Sequence, residues 1–137
     1  MNLTIGELSR RAGVNVETIR YYERLGLLGR ISRSQSGRRL FDETDTETLL
    51  FIRHCREMLF SIANIRRLLL LRAKGPCSDV KAIATSHLSE LRTKLKTLAV
   101  LETKLAAAVA KCPGDDSPHC SVIELLKAPE RNLAVVC

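Results

Sequence analysis

Apolar side chains recur every three or four positions along the first quarter of the chain, which is the spacing of helices with one buried face. The first such run begins at Thr4 and Glu7, whose spacing fits a capping box. Gly13 ends this run, and Asn15 can cap a second helix that continues to about residue 25. Two short helices joined by a turn with glycine predict a helix-turn-helix.

The pattern then changes to a short extended segment folded around a polar turn at residues 34–37. This change predicts a β-hairpin, which we call the wing. The helical spacing returns afterwards and predicts a second pair of helices at about residues 44–58 and 61–72. The cations predicted on the wing are Arg30, Arg33, Arg38 and Arg39.

From Ser78 to about Lys111 the sequence has no Gly or Pro, and leucines recur in steps of three and four. A helix of this length spans roughly 50 Å, and such a sustained apolar stripe is typical of a coiled coil. One small domain has no core long enough to cover the stripe, so we expect a homodimer. A helix packed inside a monomeric bundle is the alternative.

The charge is concentrated in the first half of the chain. The formal net charge is +7, and residues 1–74 carry 14 Lys and Arg against 8 Asp and Glu. Thirteen of those 14 cations are Arg, whose planar fork suits phosphates and guanine edges. Residues 75–137 carry 8 Lys and Arg against 7 Asp and Glu, so this part of the chain is nearly neutral. The excess favours a nucleic-acid partner, and a basic surface that only keeps the chain soluble is the alternative.

Several classes of protein are disfavoured by the sequence. No run approaches the ~18 apolar residues of a membrane span, and the N-terminus lacks a signal-peptide core. We therefore expect a cytoplasmic protein without a membrane partner. In that reducing compartment, five cysteines favour metal binding or redox chemistry over structural disulfides. We expect no enzyme, since the chain has neither a Gly-rich phosphate loop nor a nucleophile next to a plausible base.

Three cysteines frame the long helical segment. Cys77 precedes it, Cys112 ends it, and Cys120 follows a loop that contains two prolines and a glycine. Thiolates select soft metal ions. Two thiolates suit a linear monovalent ion, whereas a third suits a divalent ion. His119 is a further candidate because imidazole binds zinc, and an exposed turn histidine is its alternative interpretation.

The segments Ile5-Gly-Glu-Leu8, Thr18-Ile-Arg-Tyr-Tyr-Glu23 and Gly26-Leu-Leu28 together resemble the N-terminal domain of MerR-family transcriptional regulators. The resemblance continues through the long helix and the cysteine loop into the metal-sensing branch of that family. At residue 59 the chain departs from it, because Leu59-Phe60-Ser61 stands where the family usually has Gly-Phe-Ser.

The resemblance implies a mainly α fold in three parts. A winged helix-turn-helix DNA-binding domain with a second helix pair is expected over residues 1–74. A long antiparallel coiled-coil dimerisation helix is expected over residues 75–111. A metal-binding loop, a short helix and a tail are expected over residues 112–137.

The resemblance also implies that the second helix enters the major groove of double-stranded promoter DNA. A symmetric dimer carries two such helices, so a pseudo-palindromic operator follows. Ile19 and Tyr22 fall on the opposite face and are expected in the core, and Arg20 has an alternative role as an ion-pair partner of Glu17 or Glu23. The expected DNA-binding residues are Glu17, Thr18, Arg20, Tyr21, Arg33, Arg38 and Arg39.

The metal ligands that we expect are Cys77, Cys112 and Cys120, with Cys77 supplied by the other subunit of the antiparallel dimer. The loop is similar to that of copper-sensing members, but a cysteine at position 77 is similar to the sensors of mercury, lead, cadmium and zinc. We expect a divalent ion of that second group because Cys77 changes the coordination itself. Copper(I), silver or gold held by Cys112 and Cys120 alone is the alternative.

The implied mechanism is activation by DNA distortion. The resemblance places the dimer between promoter elements that are spaced too far apart for RNA polymerase, which responds through the promoter. Two other functions stay open: a thiol-redox regulator with a disulfide between Cys112 and Cys120, and a metal-sequestering protein whose basic domain is incidental.

Overall fold

The computed structural model describes residues 2–29, 32–33 and 35–127 of the chain. These residues form a mainly helical fold, and none of their helices combines the length and apolar character that crossing a bilayer requires. Two compact units divide after Ile83. The elements are α1 (Ile5–Ala12), α2 (Val16–Arg24), β1 (Ser32–Arg33), β2 (Arg39–Leu40), α3 (Glu43–Glu57), α4 (Ile62–Lys74), α5 (Cys77–Lys111) and α6 (Ser121–Lys127).

The first two helices begin and end where the sequence predicts. The backbone N–H of Glu7 donates to Thr4 Oγ1 at 3.2 Å, and the backbone N–H of Thr4 donates to Glu7 Oε2 at 3.0 Å. This reciprocal pair is the predicted capping box. Gly13 ends α1 with a φ of 66°, a left-handed conformation that glycine adopts without a steric penalty. Asn15 then caps α2 by accepting the backbone N–H of Glu17 at 2.8 Å.

Each helix of the second pair has a side-chain cap, and the approximate starts of both helices were predicted. Ser61 caps α4, as the predicted start at residue 61 implies. The cap of α3 is a capping box between Asp42 and Asp45, so this helix begins at Glu43 rather than at 44. Burial raises the pKa of the Asp45 carboxyl group.

The wing is present as a short antiparallel hairpin in which Arg33 lies opposite Arg39. A bridge between Leu3 and Phe41 adds the N-terminal segment next to it, with the Phe41 N–H donating to the Leu3 carbonyl at 2.8 Å. This bridge joins residues far apart in sequence and was not predicted. Arg30, a predicted wing cation, lies outside the described residues.

One apolar core holds the first unit together, with contributions from α1 to α4 and the first residues of α5. Ile19 and Tyr22, which were predicted to be core residues, are 0% and 8% exposed and confirm that prediction. The large side chains with the least exposure in this core are Leu8, Ile19, Phe41, Leu49, Ile52 and Ile65.

The second unit consists of the rest of α5, a loop at residues 112–120, and α6. Its main feature is a row of leucines on α5 whose side chains are 42–65% exposed. An exposed apolar row of this length is typical of an interaction surface. The row comprises Leu88, Leu95, Leu98, Leu101 and Leu105.

Candidate functional site

Helix α2 presents one exposed polar face in the first unit. Glu17, Arg20, Tyr21 and Arg24 are all exposed, and their spacing of three, four and seven residues places them on one side of the helix. The predicted residue Thr18 is half-buried at the edge of this face. Arg24 was not among the predicted residues, although its position seven residues after Glu17 was the signal that would have identified it.

The side chains on this face already interact with one another. Arg20 donates from its guanidinium to Glu17 Oε1 at 2.6 Å, so its alternative role as an ion-pair partner of Glu17 is present in the structure. Both side chains are exposed, and such a surface pair contributes at most about 1 kcal/mol. DNA therefore competes with this pair at little cost. Arg24 lies over the ring of Tyr21, 6.0 Å from its centroid.

The wing is tied to α2 by a less exposed ion pair. Arg39 donates to Glu23 Oε2 at 2.8 Å, and the Glu23 side chain is only 16% exposed. Arg39 was predicted as a DNA-binding residue, and in the structure it joins the hairpin to the helix. Arg38 is exposed beside it. The side chain of Arg33, the third predicted wing residue, lies outside the described part of the chain.

These cations surround an open cavity of about 640 Å³ between the start of α1, α2 and the wing. Several like charges around a concave surface attract a polyanion, and each phosphate that is neutralised releases counterions. The arginines around the cavity are therefore suited to a nucleic-acid backbone. It is lined by Thr4, Ile5, Arg20, Arg24, Arg38 and Arg39.

The loop after α5 brings two predicted ligands together. The Sγ atoms of Cys112 and Cys120 lie 3.8 Å apart, and we call them the thiol pair. Gly114 turns the loop with a φ of 68°, which a side chain would disfavour. Asp115 Oδ1 accepts the backbone N–H of Ser117 at 2.8 Å, so this carboxylate shapes the turn.

The thiol of Cys120 lies at the start of α6, where backbone N–H groups of the helix donate to it. The backbone N–H groups of Ile123 and Val122, and then the thiol of Cys112, lower the pKa of the Cys120 thiol. The Cys120 carbonyl accepts the N–H of Glu124 at 3.0 Å, which begins the helix. The lowered pKa favours the thiolate form of Cys120 more than in an ordinary cysteine.

The thiol pair fits a thiophilic metal ion, since thiolates are soft ligands. Two sulfur atoms 3.8 Å apart and both about 2.3 Å from one ion subtend roughly 110° at it. Among the residues that the structure describes, no group of three or more His, Cys, Asp or Glu side chains is placed to hold a metal. His119 is exposed, and Cys77 is exposed at the first residue of α5.

Two protein-family models match the chain. The model of the MerR HTH family regulatory proteins matches residues 3–71, and the model described as MerR, DNA binding matches residues 46–108. Together they cover both helix pairs, the wing and most of α5.

Curated relatives and a solved structure match over nearly the whole chain. The heavy metal-dependent transcription regulator 2 of Rhizobium meliloti is 38% identical, over 89% of this chain and 84% of its own. The mercuric resistance operon regulatory protein of Bacillus cereus is 34% identical, over 92% of this chain and 98% of its own. The crystal structure of PbrR691 from Ralstonia metallidurans in complex with lead(II) superposes with a TM-score of 0.75. The match has 37% sequence identity and covers 90% of this chain and 98% of that one.

Proposed function

The chain belongs to the MerR family of helix-turn-helix transcriptional regulators, which are DNA-binding proteins and not enzymes, and from this membership we propose its specific function. It acts in the cytoplasm as a homodimer that binds a pseudo-palindromic promoter operator. It activates transcription when a thiophilic divalent ion, such as mercury, lead, cadmium or zinc, binds Cys77, Cys112 and Cys120. RNA polymerase responds through the promoter DNA.

The observation that carries this proposal is the thiol pair, which has no third ligand among residues 2–29, 32–33 and 35–127. Cys112 and Cys120 converge, and no further ligand joins them in the described residues. Cys77 begins a helix of 35 residues, and a regular helix of that length is about 50 Å long. A second chain running antiparallel brings the partner's Cys77 to the end of α5 where the thiol pair lies.

The separation of the two sulfur atoms supports a divalent ion over copper(I). A linear two-coordinate ion requires sulfur atoms about 4.6 Å apart at the same bond length, which exceeds the observed 3.8 Å. The observed separation leaves room for a third thiolate. The relatives also favour this choice, since one is named for mercuric resistance and the solved neighbour holds lead(II).

The exposed arginines and the leucine row supply the other parts of the proposed mechanism. The leucine row on α5 pairs the two chains, so that two α2 helices face successive major grooves. A bound ion supplies a crosslink between subunits. The linked α5 helices then favour one of two dimer conformations, and only this difference in free energy drives the switch. Because the operator is deformable, the change in protein geometry becomes a change in promoter shape.

The metal is tested by comparing Cys77→Ser with the unmodified chain across copper, silver, mercury, lead, cadmium and zinc. We expect the responses of transcription to the divalent ions to fall at least tenfold in the variant. Ser78→Ala changes an exposed neighbour and serves as the matched control. Unchanged divalent responses in Cys77→Ser would refute the three-thiolate site, and activation by peroxide instead of metal would favour the redox alternative.

The DNA surface is tested separately with Arg20→Ala. We expect operator binding to be lost while the affinity of the thiol pair for metal is retained, since Arg20 is an exposed residue of α2. Arg67→Ala, which removes an exposed arginine of α4, is the control and should bind DNA normally. Equal loss of DNA and metal binding would mean that Arg20 serves the fold.

A further inference from the structure

A carboxylate stands on the face of α2 that carries the exposed cations. The side chain of Glu17 is 74% exposed and lies within 2.6 Å of the Arg20 guanidinium. DNA phosphates repel a carboxylate, so Glu17 weakens nonspecific attraction to the backbone. A carboxylate gains free energy at such a surface only from a hydrogen-bond donor, and the major groove offers donors on cytosine N4 and adenine N6.

The position of Glu17 in the helix suits contact with base edges. Its backbone N–H is fixed by the Asn15 cap at 2.8 Å, which places Glu17 in the first turn of α2. In helix-turn-helix proteins the N-terminal residues of the second helix are those that contact bases. Arg20 follows one turn later, so both side chains extend from the same end of the helix.

When the ion pair of Arg20 and Glu17 is kept, it places two donors beside one acceptor. The guanidinium offers a fork of two donors, and the neighbouring carboxylate offers an acceptor. Across the major groove a G·C pair presents two acceptors, guanine N7 and O6, and then the cytosine N4 donor. An A·T pair presents acceptor, donor, acceptor, so its acceptors do not lie side by side for the fork.

We infer that Arg20 and Glu17 together read one G·C base pair in each half-site, with Arg20 on guanine and Glu17 on cytosine. This inference rests on the proposed function, since it requires α2 to enter the major groove. Guanine O6 and cytosine N4 are hydrogen-bonded to each other at about 2.9 Å. A guanidinium and a carboxylate that are also in hydrogen-bond contact therefore match the spacing of the two base edges.

The test measures how the full-length chain selects DNA from a library of half-sites in which each base pair is varied. Four proteins are compared: the unmodified chain, Glu17→Ala, Arg20→Lys and the control Glu57→Ala. Lysine keeps the charge of Arg20 but lacks its fork. Glu57 is likewise exposed and ion-paired, but it lies on α3.

We expect Glu17→Ala and Arg20→Lys to lose the preference for G·C at the same single position, by roughly 5- to 150-fold, while other positions are unchanged. Glu57→Ala should select DNA as the unmodified chain does. A rise in affinity of Glu17→Ala that is equal for every sequence and leaves the G·C preference intact, or loss of selectivity at different positions in the two variants, would overturn the inference alone. Absence of any sequence selection by the unmodified chain would overturn the proposed function, and this inference with it.

Discussion

Leu59 adopts a left-handed backbone conformation, with a φ of 66°, in the turn between α3 and α4. At this residue the chain departs from the Gly-Phe-Ser that is usual in the family. A side chain makes this conformation unfavourable by about 1–2 kcal/mol, whereas glycine adopts it freely. The Leu59 side chain is 61% exposed, so little burial compensates for the strain.

We therefore expect Leu59→Gly to raise the free energy of unfolding by about 1 kcal/mol, after the greater entropy of glycine in the unfolded chain is subtracted. Urea unfolding measures this change. Leu59→Ala is the matched control, because it shortens the side chain but keeps the strained backbone. Equal stabilisation by alanine would attribute the gain to the loss of an exposed leucine instead.

The thiol of Cys120 should ionise at a lower pH than that of an ordinary cysteine. The N–H groups of Ile123 and Val122 hold its thiol pKa below the usual value. When the metal-free protein is titrated and thiolate absorbance is recorded, one ionisation step should occur below the pH of the others. This step should disappear in Cys120→Ser and persist in Cys77→Ser. Since the folded-state pKa is lowered, this group stabilises the fold fully above the unfolded-state pKa and loses that contribution as pH falls through the folded value. An early step that survives in Cys120→Ser would contradict the assignment.

At the scale of elements, local signals predicted most of the fold. Thr4, Asn15 and Ser61 cap helices at the starts that the sequence predicts, because a cap depends on residues within one turn. The thiol pair was predicted for a similar reason, since its loop closes over eight residues. The contacts that were not predicted join distant segments. They are the bridge between Leu3 and Phe41 and the ion pair of Arg39 in the wing with Glu23 in α2. Spacing along a sequence carries no information on such pairs.

Helix α5 illustrates how a local pattern predicts a surface whose partner lies in another chain. Its leucine row is exposed, and burial of one leucine contributes about 1.5–3 kcal/mol. Leu98→Glu places a charge in this row in both copies. We therefore expect the dissociation constant of the dimer to rise by at least ~100-fold, as measured by sedimentation.

The control for this change is Thr93→Glu, which adds the same charge on the opposite side of α5 from Leu95 and Leu98. Thr93 is exposed, so the substitution is tolerated in the single chain. We expect Thr93→Glu to remain dimeric. Dissociation of both variants alike would mean that added negative charge, and not loss of the apolar seam, separates the chains.

At the scale of the whole molecule, the proposed metal site depends on how two chains are combined. Cys77 and the thiol pair lie at opposite ends of α5, and the sequence predicted Cys77 as the third thiolate only together with the antiparallel dimer that the resemblance implies. Two variants, Cys77→Ser and Cys112→Ser/Cys120→Ser, each remove ligands so that their homodimers have no complete three-thiolate site. Cys77→Ser retains two thiol pairs, and the double variant Cys112→Ser/Cys120→Ser retains two copies of Cys77.

Mixing these two variants tests whether the site is shared between subunits. In a mixed dimer, the thiol pair of the Cys77→Ser chain meets the intact Cys77 of the partner subunit, so one complete site is restored. We expect cadmium or lead to bind one ion per mixed dimer, with the charge-transfer absorbance of three thiolates that neither homodimer gives. If each subunit used only its own cysteines, no mixed dimer would contain three thiolates, and the absorbance of the mixture would equal the mean of the two homodimers. That outcome would move the third ligand away from the partner's Cys77.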